Sequence, residues 1–214
     1  MSGYEQRKTG TTIVGIVAKD GIVIASDRRV TAGGRFVVKK DFVKQEKILD
    51  HLLLAVAGSV SDVQLNIKLL KAQLKLLHVR RGRPATTEEA VNLLANMQYG
   101  SLRRSFVIPA IAVFIIGGYD QEKGPQLFET GPDGSLSEHK DYTTEGSGMM
   151  YATGVLEAGY KNGISIPEAI KLGIAAVKAA IERDTASGNG INVSTITKNG
   201  VETVYEAVIR MTAE

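Results

Sequence analysis

Twice along this chain, β-prone runs of strand length give way to amphipathic helical stripes and then resume, and this double switch of period constrains the fold more than any other feature. TIVGIVA and IVIAS flank the pair Asp20-Gly21, which predicts a hairpin with a two-residue reversal. LLLAVAG, ending at Gly58, reads as a buried strand. Val63, Ile67, Leu70, Leu74 and Leu77 then recur in steps of four and three, the stripe of a helix with Asp62 as its expected cap. A second helix, opened by the capping box Thr86 to Glu89 and carrying Ala90, Leu93, Leu94 and Met97, is expected to pack antiparallel to the first. The order then repeats. AIAVFIIGG and QLFET read as strands, Asp133-Gly134 as a turn, and the segment from Gly148 through Leu156 as a helix. A further capping box, Ser165 to Glu168 with Pro167 in the first turn, opens a helix with Ile170, Ile174, Val177 and Ile181 on one face. INVSTIT and VETVYEAV close the chain as a hairpin about Asn199-Gly200. Strands in two groups with segregated helices predict an α+β layered sandwich in which helices cover sheets packed face to face.

The 214 residues suffice for one sizeable core. Lys and Arg number 26 against 23 Asp and Glu, and a net charge of +3 is too mild to predict nucleic acid or a membrane surface as a partner. No stretch reaches the roughly twenty apolar residues of a membrane span. The first ten residues, MSGYEQRKTG, lack the apolar run of a secretory signal and read as a short polar leader, so a cytoplasmic location is expected. Cysteine is absent, which excludes a thiolate nucleophile, a disulfide framework and a zinc-thiolate site together. His51, His78 and His139 stand apart from one another, and no metal or cofactor is expected. Chemistry here must run on hydroxyls, carboxylates, amines and backbone.

Gly10 precedes Thr11 and Thr12 at the start of the first core strand. On composition alone, the ordinary reading of both threonines as β-branched strand residues outweighs a catalytic one. The alternative is an autocatalytic junction: a Thr11 hydroxyl attacking its own preceding carbonyl needs an uncrowded peptide, which glycine supplies. Cleavage there would free an α-amine with a reference pKa of about 7.7 to 8.0, suited to a general base. One residue then provides nucleophile and base.

TGTTIVGIVAKDGIVIASDRRVTAG, AGSVSD, GSGMMYATGVLE and RDTASG, in this order and spacing, closely resemble the β-type catalytic subunit of the 20S proteasome, from Gly10 to the final hairpin. The resemblance implies the N-terminal nucleophile hydrolase fold, a four-layer αββα sandwich, and a threonine endopeptidase that degrades unfolded polypeptides. It divides the chain into a propeptide, residues 1–10, removed by autocleavage between Gly10 and Thr11, and a catalytic domain, residues 11–214. Thr11 is then the nucleophile, and Asp27 the acid that orients a catalytic lysine; the ordinary alternative pairs Asp27 with Arg28 or Arg29. Alignment places the lysine at Lys44, with Lys47 the runner-up because Ile48 follows it; strand parity, which puts Phe42, Lys44, Glu46 and Ile48 on one face, favours Lys44. Gly58 would donate its N–H to an oxyanion, against the ordinary reading as a turn residue. Ser147, Asp184 and Ser187 would complete a hydrogen-bonded network around the Thr11 amine, against capping or turn roles.

By the same resemblance a substrate lies as an added strand between the segment around Thr31 and the segment at Gly58. Val30, Phe42, Glu46, Val56 and Val60 map to its side-chain pocket. A mostly apolar lining predicts cleavage after hydrophobic residues, whereas Glu46 would admit basic ones and Phe42 would shrink the pocket. The implied partners are other β subunits in seven-membered rings, two stacked, α-subunit rings, and an ATP-dependent regulatory particle acting through the α rings. The nearest enzyme alternative is the bacterial two-ring relative, against which RDTASG argues. A different alternative is a non-catalytic or unprocessed β subunit that only builds the ring.

Overall fold

In this computed structural model, residues 10–33, 36–104 and 111–208 are described. The expected leader apart from Gly10, and Ala110 at the start of the expected strand AIAVFIIGG, lie outside the described residues. The first hairpin joins β1 (Ile13–Ala18) to β2 (Gly21–Asp27). A short hairpin follows, β3 (Val30–Ala32) with β4 (Phe36–Lys39), and then β5 (Gln45–Leu49) and β6 (Leu52–Gly58). Helices α1 (Val60–Arg81) and α2 (Thr87–Arg104) lead to β7 (Ala112–Asp120), β8 (Gly124–Thr130), β9 (Leu136–His139) and β10 (Tyr142–Glu145). Helices α3 (Met149–Gly159) and α4 (Ile166–Arg183) precede the closing hairpin, β11 (Gly190–Thr197) and β12 (Gly200–Val208).

Two antiparallel five-stranded sheets result, ordered β10-β1-β2-β11-β12 and β5-β6-β7-β8-β9. Period-two alternation gives each sheet two apolar faces, and three cores follow. Ile13, Ile22, Ile24, Leu53, Ala55, Ile115, Leu127 and Ile196 fill the space between the sheets. Val14, Ile16, Val23 and Ala25 turn outward against Ala152, Leu156 and Val177 of α3 and α4. Leu52, Leu54, Val56, Phe114 and Ile116 turn outward against Val63, Leu70, Leu74 and Leu94 of α1 and α2. Each fully buried Ile or Leu contributes about 1.5–3 kcal/mol relative to exposure. The layers are therefore helices, sheet, sheet, helices, the αββα order of an α+β sandwich.

Local signals set the element ends. In the box before α2, the Glu89 N–H donates to Thr86 Oγ1 at 3.2 Å and the Thr86 N–H to Glu89 Oε2 at 2.9 Å. The second box, Ser165 with Glu168, opens α4. Three details differ from the sequence expectation. α1 starts at Val60 behind Ser59, because Asp62 is occupied otherwise: its Oδ2 accepts the Ile111 N–H at 3.1 Å, tying the first turn of the helix to the entry of β7. The reversals are made by Lys19-Asp20 and Lys198-Asn199, since Gly21 already pairs with Ala18 and Gly200 with Thr197. On α4 the deeply buried face is Ala169, Gly173, Ala176, Val177 and Ala180, while Ile170, Ile174 and Ile181 flank it. Small residues let this helix lie close on β2, where a Cβ at Gly173 would stand 3.2 Å from that of Ala25.

α1 is apolar on more than one side. Opposite its buried stripe it exposes Leu65, Leu69, Leu76 and Val79, with Val79 72% accessible.

Candidate active site

Gly10 and Thr11 enter β1 between the β3 segment, the turn before α3, and the loop after α4. The Gly10 N–H donates to Thr31 Oγ1 at 2.9 Å, and the Gly148 N–H donates to the Thr11 carbonyl at 3.3 Å. Two glycines make this approach possible. A Cβ at Gly10 would stand 2.1 Å from that of Ala186 and 2.4 Å from the Ala186 carbonyl oxygen; one at Gly146 would stand 2.1 Å from the Thr11 carbonyl oxygen. Gly146 also has a φ of +98°, a conformation that side chains disfavour.

The Gly10–Thr11 peptide bond is intact, so Thr11 N is an amide donor and not a base. Thr11 Oγ1 donates to the carbonyl oxygen of Gly10, 2.6 Å away. Lys44 Nζ reaches the same oxygen at 3.2 Å and donates to Asp27 Oδ1 at 2.6 Å. Both charged side chains are buried, that of Lys44 3% exposed and that of Asp27 fully enclosed. Asp27 accepts three further bonds: from the Thr12 N–H on Oδ1, and from the Arg29 and Gly188 N–H groups on Oδ2. Burial holds the Lys44 ammonium below the ordinary lysine range, with the Asp27 carboxylate opposing that shift. A desolvated ammonium against a carbonyl oxygen polarises the carbonyl and favours negative charge developing there.

A second network meets Thr11 from the other side. The Thr11 N–H donates to Ser147 Oγ at 3.2 Å, and Ser147 Oγ donates to Asp184 Oδ2 at 2.5 Å. Ser187 Oγ lies 2.7 Å from both Asp184 Oδ2 and Thr12 Oγ1. Thus Thr11, Asp27, Lys44, Ser147, Asp184 and Ser187, far apart in sequence, form one connected set. Beside it a narrow cleft of about 30 Å³ is lined by Gly10, Thr11, Val30, Phe42, Lys44, Val56, Gly58 and Val60.

Other expected positions fall elsewhere. Lys47 is half-exposed and pairs with Asp50 at 2.7 Å. Glu46 is absent from the cleft lining, its carboxylate being ion-paired with Lys71 of α1. Phe42 and Lys44 precede β5, so strand parity does not extend to them. Nor do the Arg28 and Arg29 guanidinium groups serve Asp27. Arg28 donates to Asn192 Oδ1 and Glu206 Oε1, and Arg29 to Asn189 Oδ1 and the Thr185 carbonyl. Their roles, which sequence reasoning missed, differ: Arg29 braces the loop that carries Asp184, Ser187 and the Gly188 N–H, and Arg28 ties the end of β2 to β11 and β12. Gln45 was missed as well: its amide donates to Ser26 Oγ and the Asn192 carbonyl and accepts from Ser194 Oγ, anchoring the chain beside Lys44. The only sequence signal for these residues is their adjacency to Asp27 and Lys44.

Among the described residues, no group of three or more His, Asp or Glu is arranged to hold a metal ion, and no helix is long and apolar enough to cross a membrane. A family model described as proteasome subunit matches residues 7–196. The chain is 44% identical over 193 residues to a protein named proteasome subunit beta from Methanocaldococcus sp. (strain FS406-22), covering 90% of this chain and 84% of that one. It is 40% identical over 200 residues to a protein of that name from Methanocaldococcus vulcanius, covering 94% and 87%. Against proteasome subunit beta 2 of Haloarcula marismortui it is 43% identical over 196 residues, covering 91% and 81%.

Proposed function

The chain belongs to the proteasome subunit family, and from that premise we propose that it is a β-type threonine endopeptidase which frees its own nucleophile by cutting between Gly10 and Thr11. The observation that carries this reading is the Thr11 hydroxyl bonded to the carbonyl of its own preceding peptide, with the buried Lys44–Asp27 pair on the same oxygen. A peptidase role and assembly into the proteasome core with other subunits follow from family membership. The threonine mechanism, the seven-membered double β ring, the capping α rings and the ATP-dependent regulator are part of the proposal, as is a cytoplasmic location.

In maturation, Thr11 Oγ forms a bond to the Gly10 carbonyl carbon and gives up its proton. The resulting oxyanion faces the Lys44 ammonium. The C–N bond to Thr11 breaks, the nitrogen takes a proton and becomes an α-amine, and Gly10 is left as an ester on Oγ. Water hydrolyses that ester, releasing the Gly10 carboxylate and restoring the hydroxyl. For peptide substrates the amine then serves as base, held by Ser147 and the Asp184–Ser187 pair, while Lys44 favours the ionised hydroxyl. The Gly58 N–H is the proposed oxyanion donor. A substrate lies extended between Thr31 and Gly58, and the small cleft of Val30, Phe42, Val56 and Val60 selects modest apolar side chains. A purely structural subunit is the weaker reading, because burying a lysine and a carboxylate costs desolvation that ring-building alone does not require.

Intact-mass measurement of the assembled protein tests the proposal. The wild type is expected to lose residues 1–10 and to hydrolyse hydrophobic reporter peptides. Gly10→Ala, which pushes the scissile peptide away from Ala186, is expected to slow leader removal by about 10²-fold. A fully assembled wild type that keeps Gly10 and cuts nothing overturns the reading.

A further inference from the structure

Glu145 and Glu129 come from opposite sheets, where β10 of one faces β7 and β8 of the other. Glu145 pairs in register with Ile13 and Glu129 with Ile115, and both isoleucines belong to the core between the sheets. Directly opposed residues share a face, so both half-buried carboxyl groups lie on the side of their sheets that faces the other sheet, close enough to feel each other's charge. Glu129 accepts from Thr143 Oγ1, and its Oε2 lies 3.4 Å from His139 Nε2 of β9. Glu145 Oε2 accepts the Gly146 N–H at 3.2 Å. No lysine or arginine bridges to either glutamate among the described residues. β1 and β7 present Ile13 and Ile115 to the pair. On β10 itself, Tyr142 lies on the other face, its ring edge-on to that of Tyr160.

We propose that Glu145 and Glu129 hold one proton between them and that this shared proton positions the turn carrying Ser147, and through it Thr11. The inference rests on the threonine-peptidase reading above. Two carboxylates facing each other in a partly buried gap repel when both are ionised, whereas one proton turns the repulsion into a hydrogen bond. Glu145 grips the N–H of Gly146, and Gly146 abuts the Thr11 carbonyl so closely that no Cβ fits between them. A displacement of Glu145 is therefore passed to the Ser147 hydroxyl and the Thr11 nitrogen. In support, burial and then the facing Glu129 push the Glu145 carboxyl up to about 7, against the opposing Gly146 N–H. Glu145 is a positioning residue and touches no reacting atom.

The test has two arms on the full chain. In the first, thermal stability is followed from pH 4.5 to 8 in Thr11→Ala, which keeps its leader, with and without Glu145→Gln. The native state holds a proton that the unfolded chain has released. Stability is therefore expected to be fully present near pH 4.5 and to fall as pH rises toward 7, and Glu145→Gln is expected to lack that component. In the second, kcat/KM for a reporter peptide is compared between the mature wild type and Glu145→Gln. Titration of the Thr11 amine cancels in their ratio, which is expected to rise through pH 7 in favour of the variant by about five-fold or more. Should Glu145→Gln fail to fold, Glu129→Gln reaches the same pair from the other sheet. Equal stability slopes overturn the shared proton, and a ratio flat across pH 5.5 to 8.5 overturns the positioning role. A wild type that matures poorly or cuts no peptide instead counts against the peptidase reading, and the stability arm still decides the proton.

Discussion

Thr11→Ala is expected to stop both reactions at once. In the proposed mechanism leader removal and peptide hydrolysis use the same oxygen, so the variant should retain residues 1–10 after assembly and lose roughly 10⁶-fold in kcat, the scale seen when a hydroxyl nucleophile is removed from a hydrolase. The intramolecular step has no substitute donor at hand: Thr12 Oγ1 is engaged with Ser187, and Ser147 Oγ with Asp184. Thr11→Ser keeps a hydroxyl and is expected to mature, which separates loss of chemistry from loss of fold. Intact mass and reporter hydrolysis read both variants, and a Thr11→Ala subunit that still sheds its leader at the wild-type rate would place the nucleophile elsewhere.

Lys44→Ala carries the second large effect, and it is expected to appear in stability as well as in rate. Removing the ammonium leaves Asp27 with no exposed atom to solvate it and only backbone donors to meet its charge, a loss on the order of 3–5 kcal/mol. Adding Asp27→Asn to Lys44→Ala removes the orphaned charge but sets an amide NH2 against a backbone N–H on one side, so it is expected to recover only part of that stability and no activity. Lys47→Ala is the control. Its exposed pair with Asp50 is worth about 0–1 kcal/mol, and neither denaturant midpoint nor rate should move appreciably. If Lys47→Ala abolishes activity and Lys44→Ala does not, the buried pair has no part in the chemistry.

What the sequence conveyed depended on the range of the interaction. Capping boxes are read within four residues, and Thr86–Glu89 and Ser165–Glu168 sit where the pattern puts them. Each hairpin reversal is offset by one residue, because glycine marks the turn but strand pairing fixes its register. α4 shows a different limit: an apolar stripe identifies a helix, yet the closeness of α4 to β2 selects its small residues for the deepest contact. Around the site, Gly10, Thr11 and the serine and aspartate motifs stand in short, recognisable strings. The arginine brace, the Gln45 anchor and the Glu46–Lys71 pair do not, since each joins residues at least 25 positions apart or depends on which element passes nearby. The proposed Glu129–Glu145 pair belongs to the same class, with each partner ordinary in its own strand and unusual only across the gap between sheets.

The exposed row of Leu65, Leu69, Leu76 and Val79 on α1 makes this subunit a poor solitary molecule. Anything that binds only the native chain lends it stability in proportion to the logarithm of its own concentration. The melting temperature of the free subunit should therefore depend on how much of its neighbours is present. A dilute preparation would then sit on a folding balance that the supply of partners tilts.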